Sequence, residues 1–254
     1  MIILAHRGAS GHAPENTLSA FYRGLDLGAH GVEFDLRRSS DGEIVVFHDL
    51  TVDRTTDGHG PLAEYTWPEL RHLDAGSWFS PRFAGERIVR FVDLLYAFGG
   101  RQIHLAVELK ANHIEEDVWA MITETSRHAT ITVTSFDLTN LKRMREVSSE
   151  VRLGYLTKTV DERTVAQARS VSAEQICPDA SALSVEQMQM ARHAALEVRC
   201  WNSRPVGAMQ NAAALGADGM TVDFPDRLVD YLATHGGSGE WPGHEAALTV
   251  QTRG

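Results

Sequence analysis

The stretch Gly31-Val-Glu-Phe-Asp-Leu-Arg-Arg-Ser-Ser-Asp-Gly-Glu-Ile-Val-Val-Phe-His-Asp49 decides the fold, because it carries two strand-like runs joined by a very short link. The first run covers residues 32–36 and the second residues 43–48, with only Arg-Arg-Ser-Ser-Asp-Gly between them. A parallel crossover needs roughly a dozen residues or more. The second run is therefore expected as an antiparallel hairpin arm, turned at Asp41-Gly42. Glu33 and Asp35 are two apart in the first run, so a strand aims both carboxylates at one face, as a hard divalent cation requires.

Working outward, apolar strand-like runs alternate with helical segments, the order that builds a parallel sheet flanked by helices. Residues 2–6, 32–36, 104–109, 131–135, 153–156, 175–178, 198–201 and 220–222 read as its strands. A helix opens at Pro14-Glu15-Asn16-Thr17, with Asn16 as its cap, Leu18, Phe21 and Leu25 at helical spacing and a stop at Gly28. Residues 137–147, 161–170, 184–195, 204–215 and 225–234 read as further helices. The expectation is an α/β fold, a single (β/α)8 TIM barrel over residues 1–234, with a small insertion at about 38–88 after strand two. That insertion, rich in Pro, Gly and aromatic residues, carries His48 back to the barrel mouth. From His235 onward Gly-Gly-Ser-Gly-Glu-Trp-Pro-Gly loses periodicity, and residues 235–254 are expected to be a disordered tail.

The chain of 254 residues has a net charge of −10, which argues against binding nucleic acid or anionic lipid surfaces. A phosphorylated substrate must then be held by local charge, and the expected partner is a small molecule. The start, Met1-Ile-Ile-Leu-Ala-His-Arg7, lacks a basic region before a long apolar stretch, and no run of about 18 apolar residues occurs anywhere. A cytoplasmic enzyme is expected. Cys177 and Cys200 sit in apolar strands and read as buried thiols.

Active sites of such barrels lie at the C-terminal ends of the strands, where His6, Glu33, Asp35, Glu108 and Lys110 all fall. Two carboxylates on one strand face with His6 and His48 as proton donor and acceptor are the set expected of a site that cleaves phosphate esters. Trp201, at the end of strand seven, lines the pocket or belongs to the core, and both readings stay open. Asp49 is expected to fix the loop, and Arg54 with Thr55 and Thr56 to pin the insertion. The remaining histidines, His128 and His244 among them, show no metal-ligand spacing and are assigned no chemistry.

His6-Arg7-Gly8, Pro14-Glu15-Asn16-Thr17, Glu33-Phe34-Asp35, His48-Asp49, Arg54-Thr55-Thr56, Glu108-Leu109-Lys110, Ser135-Phe136, Trp201, and Gly216-Ala217-Asp218-Gly219 with Asp223 together resemble the glycerophosphodiester phosphodiesterase family. The order holds over nearly the whole chain, and Asp74-Ala75-Gly76-Ser77-Trp78-Phe79 resembles the insertion of the bacterial cytosolic members. The resemblance implies metal-dependent hydrolysis of glycerophosphodiesters to glycerol 3-phosphate and an alcohol. It implies one Ca²⁺ or Mg²⁺ on Glu33, Asp35 and Glu108, His6 and His48 as the acid/base pair, and Arg7 and Lys110 on the phosphate. We assign His6 as base and His48 as acid, with water or a glycerol hydroxyl as nucleophile.

Two features depart from the family pattern. Arg204 stands three residues after Trp201, where the family usually has Asn, which bears on leaving-group selectivity. The insertion's exit, Glu86-Arg87-Ile88-Val89-Arg90-Phe91, lacks the usual proline. The alternatives are cleavage of a lysophospholipid or another phosphodiester on the same site, and a non-catalytic barrel that binds glycerol phosphates.

Overall fold

The computed structural model describes residues 1–125 and 129–235. One sheet holds ten strands: β1 Ile2–His6, β2 Gly31–Arg38, β3 Ile44–Val46, β4 Val89–Arg90, β5 His104–Leu109, β6 Thr130–Ser135, β7 Arg152–Leu156, β8 Gln175–Cys177, β9 Glu197–Cys200 and β10 Gly219–Val222. β1 pairs in parallel with both β2 and β10, β2 with β5, and β5 to β10 follow one another, so eight strands close a ring. The helices are α1 Leu18–Asp26, α2 Trp67–Leu70, α3 Phe91–Phe98, α4 Glu115–Thr125, α5 Leu138–Val147, α6 Glu162–Ser170, α7 Val185–His193, α8 Val206–Ala214 and α9 Pro225–His235. This is the expected (β/α)8 barrel with an insertion after its second strand.

Strand alternation separates two environments. Ile3 and Ala5 of β1, Val32, Phe34 and Leu36 of β2, and Leu105, Val107 and Leu109 of β5 belong to the core between sheet and helices. The alternate positions, among them Glu33, Asp35, Glu108, Thr134 and Arg199, face the barrel axis and its upper end. Burial of each large apolar side chain contributes about 1.5–3 kcal/mol. α1 is locked to the barrel by Phe21, whose ring meets Phe34 edge-on at 5.9 Å and Phe98 at 6.2 Å.

The hairpin arm is present: Leu36, Arg37 and Arg38 pair antiparallel with Val46, Val45 and Ile44, and Gly42 turns with φ 94°. β4 then pairs antiparallel with β3, so the proline-free exit is itself a strand that leads straight into α3. Val45, Phe47, Val52, Leu62, Leu70, Ala75 and Ile88 form a second, smaller apolar cluster under this segment. It holds the His48 arm rigidly against the barrel.

Helix starts follow the polar residues before them: Thr17, Asp137, Asp161 and Ser184 each accept a hydrogen bond from a backbone N–H of the first turn. The cap of α1 is thus Thr17, not Asn16, and Asn16 adopts a left-handed conformation with φ 59°. Helices α2 and α4 were not expected from the sequence, and α3 only as a helix without bounds after the insertion. α3 reads Phe-Val-Asp-Leu-Leu-Tyr-Ala-Phe, too apolar to show a polar face, and Arg90 before it makes no side-chain cap bond. The α9 helix runs to His235. The remainder of the expected tail, with His244, and His128 lie outside the described residues.

Candidate active site

The upper end of β1 places His6, and the backbone turns sharply after it, with Arg7 at φ 53° and Gly8 at φ 79°. The Arg7 N–H donates to Glu33 Oε2 at 3.1 Å, tying this turn to β2. A Cβ on Gly8 would stand 2.4 Å from the Ala20 carbonyl carbon, so α1 backs directly onto the turn. The element that starts at Thr17 therefore sets where His6 and Arg7 point.

Glu33 and Asp35 of β2 meet Glu108 of β5, the strand partner of Asp35, and one carboxylate oxygen of each lies within 4.8 Å of the others. All three are buried. Asn16 donates from Nδ2 to Asp35 Oδ2 at 3.0 Å, Arg7 Nε lies 3.2 Å from the same oxygen, and Lys110 Nζ lies 2.6 Å from Glu108 Oε1 and 3.6 Å from Asp35 Oδ1. Burial would raise Asp35, but Arg7, Lys110 and His48 outweigh it and hold its pKa at about 2. Burial, with the charge of Asp35 added, raises Glu33 and pushes Glu108 up to about 8. Asp35 Oδ1 is buried without a hydrogen-bond partner among the described residues. An all-oxygen set crowded enough to keep a proton on one member, with an orphaned oxygen, fits a Ca²⁺ or Mg²⁺ ion.

Two histidines flank this triad, each oriented by an aspartate. His6 Nδ1 donates to Asp223 Oδ1 at 2.6 Å, and His48 Nδ1 to Asp49 Oδ1 at 2.5 Å. Each Nε2 is left without a hydrogen bond among the described residues, that of His6 lying 4.0 Å from Glu33 Oε2. An arginine braces each aspartate in turn: Arg204 Nε donates to Asp223 Oδ2, and Arg54 Nε to Asp49 Oδ2 at 2.6 Å. Burial pulls the His6 pKa down, yet its bond to Asp223 and the charge of Glu33 prevail and raise it. For His48 burial, joined by Arg7 and Lys110, prevails over Asp35 and lowers it. Asp223 is held at about 2, because the bond to His6 and the charges of His6 and Arg204 overcome its burial.

A cavity of about 400 Å³ opens over these groups and is lined by His6, Arg7, Glu33, His48, Glu108 and Lys110 as well as Trp201. Trp201 is a wall of this cavity, held by its Nε1–H to Thr157 O at 3.0 Å and packed edge-on against Phe136 at 5.2 Å. All eight residues singled out from the sequence thus come together. Sequence reasoning missed the part played by Asp49, Asp223, Asn16 and Arg204. Asp49 had been expected to fix the loop and Asn16 to cap a helix. Arg54 does pin the insertion, since it also reaches Glu15 Oε1 at 2.7 Å, and Glu15 holds Arg7 at 2.8 Å. The signal for Asp49 was its place directly after His48, and for Asp223 its place at the end of the last strand.

A (β/α)8 barrel whose mouth combines three buried carboxylates, two aspartate-held histidines and two basic side chains is built for phosphoryl-ester chemistry. The model of the glycerophosphoryl diester phosphodiesterase family matches residues 6–227. The chain belongs to that family and is an enzyme of its class. It is 30% identical over 240 residues to a glycerophosphodiester phosphodiesterase of Caldanaerobacter subterraneus, covering 92% of this chain and 99% of the relative. It is 31% identical over 235 residues to one of Bacillus altitudinis, covering 89% and 96%. Among solved structures, an Oleispira antarctica phosphodiesterase in complex with the product sn-glycerol-3-phosphate superposes with a TM-score of 0.85 at 25% identity, covering 92% of this chain and 97% of that one. A glycerophosphodiester phosphodiesterase from Agrobacterium tumefaciens gives 0.78 at 29% identity, covering 91% and 99%. No helix of the described residues is long and apolar enough to cross a membrane.

Proposed function

We propose that this enzyme hydrolyses glycerophosphodiesters to sn-glycerol 3-phosphate and an alcohol, with one divalent cation, Ca²⁺ or Mg²⁺, and His6 and His48 as the acid/base pair. The observation that carries the reading is the pair of aspartate-oriented histidines beside a carboxylate triad packed within 4.8 Å. The product named for the Oleispira relative is consistent with it. Held by Glu33, Asp35 and Glu108, the cation supplies positive charge to the phosphoryl group.

The chain's own residues do the rest. Arg7 and Lys110 donate to phosphoryl oxygens, where charge builds as the diester is displaced. One imidazole Nε2 takes the proton of the nucleophile, water or the neighbouring glycerol hydroxyl, and the other gives a proton to the departing alkoxide. Asp49 and Asp223 keep each ring in the tautomer that leaves Nε2 facing the cavity and stabilise the imidazolium when it forms. Trp201, with Phe136, offers an apolar wall to substrate carbons. A net charge of −10 disfavours an anionic bilayer surface, so the substrate is a free small diester and the setting cytoplasmic.

The roles of the two histidines need separate treatment. Under the influence of the protein's own groups, His6 holds its proton more tightly than usual and His48 less tightly, the reverse of base and acid as assigned from sequence. The pull on His6 comes first from its bond to Asp223 and then from the charge of Glu33, and a cation on the triad would offset only the second. A substrate with a nitrophenolate leaving group, which departs without a proton, decides the order in the loaded enzyme. If His48 is the acid, His48→Ala recovers on that substrate and His6→Ala stays slow; recovery of His6→Ala instead exchanges the roles.

The activity itself is tested with purified protein and a panel of glycerophosphodiesters, with and without chelator, following release of glycerol phosphate. Turnover that chelation abolishes is expected. Absence of turnover with every diester and every divalent cation overturns the reading and leaves a barrel that binds glycerol phosphates.

A further inference from the structure

Five basic side chains line the cavity: Arg7, Arg54, Lys110, Arg199 and Arg204. Four are ion-paired within the protein, Arg7 and Arg54 to Glu15, Lys110 to Asp35 and Arg204 to Asp223. Arg199 is different. It lies on β9 inside the barrel at 2% exposure, and no carboxylate pairs with it among the described residues. Its Nη1 donates to Thr221 Oγ1 and its Nε to Gln175 Oε1 at 3.4 Å, both neutral acceptors. Its Nη2 is buried with no hydrogen-bond partner among the described residues.

A buried guanidinium without a counter-charge is unfavourable, and folded proteins pair such groups or give them a ligand. The free Nη2 belongs to a side chain that lines the same cavity as both histidines. Thr221 and Gln175 hold the guanidinium plane from two adjacent strands, so the donor is fixed before any ligand arrives.

We infer that Arg199 is a specificity-determining residue whose free Nη2 donates to an anionic phosphoryl oxygen of the substrate, and binds the monoester product more strongly than the diester. The inference rests on the reaction proposed above. A phosphodiester carries one negative charge and a phosphomonoester up to two, so an otherwise uncompensated cation favours the product end of the reaction. Arginine suits this position because its planar donors match phosphate geometry and it never loses its proton. One competing role has a basis in the molecule: the field of Arg199 reaches Glu33 and makes it more acidic. In that case Arg199 serves the carboxylate triad and not the ligand.

The two roles separate in the cation-loaded enzyme. For Arg199→Met, KM on sn-glycero-3-phosphocholine and the inhibition constant of sn-glycerol 3-phosphate are expected to rise by about 10- to 100-fold, more for the product. Cation affinity by calorimetry is expected to stay unchanged, and Arg199→Lys to fall between the two. A shifted cation affinity with an unchanged inhibition constant overturns the inference and assigns Arg199 to the triad. Should the Met variant not fold, a crystal structure of the wild-type enzyme with sn-glycerol 3-phosphate decides: Nη2 within about 3.2 Å of a phosphoryl oxygen is expected. A water or a glycerol hydroxyl in that place overturns it. Wild-type protein that releases no glycerol phosphate defeats the underlying reaction, whereas turnover with unaltered inhibition in both variants defeats the role of Arg199 alone.

Discussion

At the scale of single residues, the site works through what each ionisable group is forced to share. Glu108 keeps its proton up to about pH 8 because it is buried beside Asp35, although Lys110 Nζ stands 2.6 Å away. Cation binding must expel that proton, so at pH 7 about one proton is released per cation and affinity rises as pH climbs toward 8. Calorimetry in buffers of different ionisation enthalpy measures the release. Glu33→Gln, Asp35→Asn and Glu108→Gln are each expected to weaken cation binding and activity together, because an amide cannot replace the anionic charge. Unchanged affinity in all three would move the cation elsewhere. Asp223→Asn and Asp49→Asn leave the histidines in place but replace the carboxylate that selects their tautomer by a neutral amide, whose NH2 can turn to the ring while its oxygen stays with the arginine. Each is expected to lower kcat by about 10²- to 10⁴-fold with a smaller change in KM, the size of a lost acid or base. A fall in thermal stability with no fall in kcat would make these aspartates structural.

At the scale of elements, the position of the turn that follows His6 depends on how closely α1 approaches β1. Gly8 occupies a left-handed conformation and leaves no room for a Cβ beside the Ala20 carbonyl. Gly8→Ala is expected to destabilise the protein by more than about 2 kcal/mol and to lower activity, read from the urea midpoint at unchanged slope. Gly100, where a Cβ would meet nothing within 4 Å, is the control, and Gly100→Ala should lie within about 0.5 kcal/mol of wild type. Elements with a strong local signal were legible in the sequence, as with the hairpin arm at Asp41-Gly42 and the capped starts at Asp137, Asp161 and Ser184. The α3 helix was not, because its outward positions carry Val92, Tyr96 and Ala97 beside Asp93, so the apolar-polar contrast between its faces is lost. Asn16 shows the opposite error. A good capping residue stood one position before the cap, and its side chain was free to serve Asp35.

For the whole molecule, the polar barrel interior has consequences for acid stability. His104 lies buried on β5, with its Nε2 3.0 Å from Thr132 Oγ1, and burial with the charges of Arg199 and Arg152 holds its pKa down at about 3. In the unfolded chain it titrates near 6.5. The native state therefore keeps His104 neutral, its stabilising effect is complete above about pH 6.5, and it is lost as pH falls toward 3. Between pH 6.5 and 5 the loss from this group approaches about 2 kcal/mol. His104→Gln, which keeps a hydrogen-bonding side chain but cannot titrate, should show a smaller drop in Tm from pH 7 to pH 5. An equal drop would assign the acid sensitivity to other groups.

The sequence by itself determined the eight barrel strands and the hairpin arm, though not β4, and which face their side chains take, because the pleat has a period of two whatever surrounds it. His6, Glu33, Asp35, Glu108 and Lys110 were visible as site candidates for that reason. Ring closure decided the rest. It sets β1 beside β10 and so brings Asp223 to His6 across 217 positions of sequence. Which carboxylate each basic group meets depends on the register of non-adjacent segments, as with Glu15 between Arg7 and Arg54, or Arg199, which meets none among the described residues. No local pattern encodes that register. It follows from packing helices and an insertion around a closed sheet, and the same packing sets the burial that shifts the proton affinities of Glu108, His6 and His48.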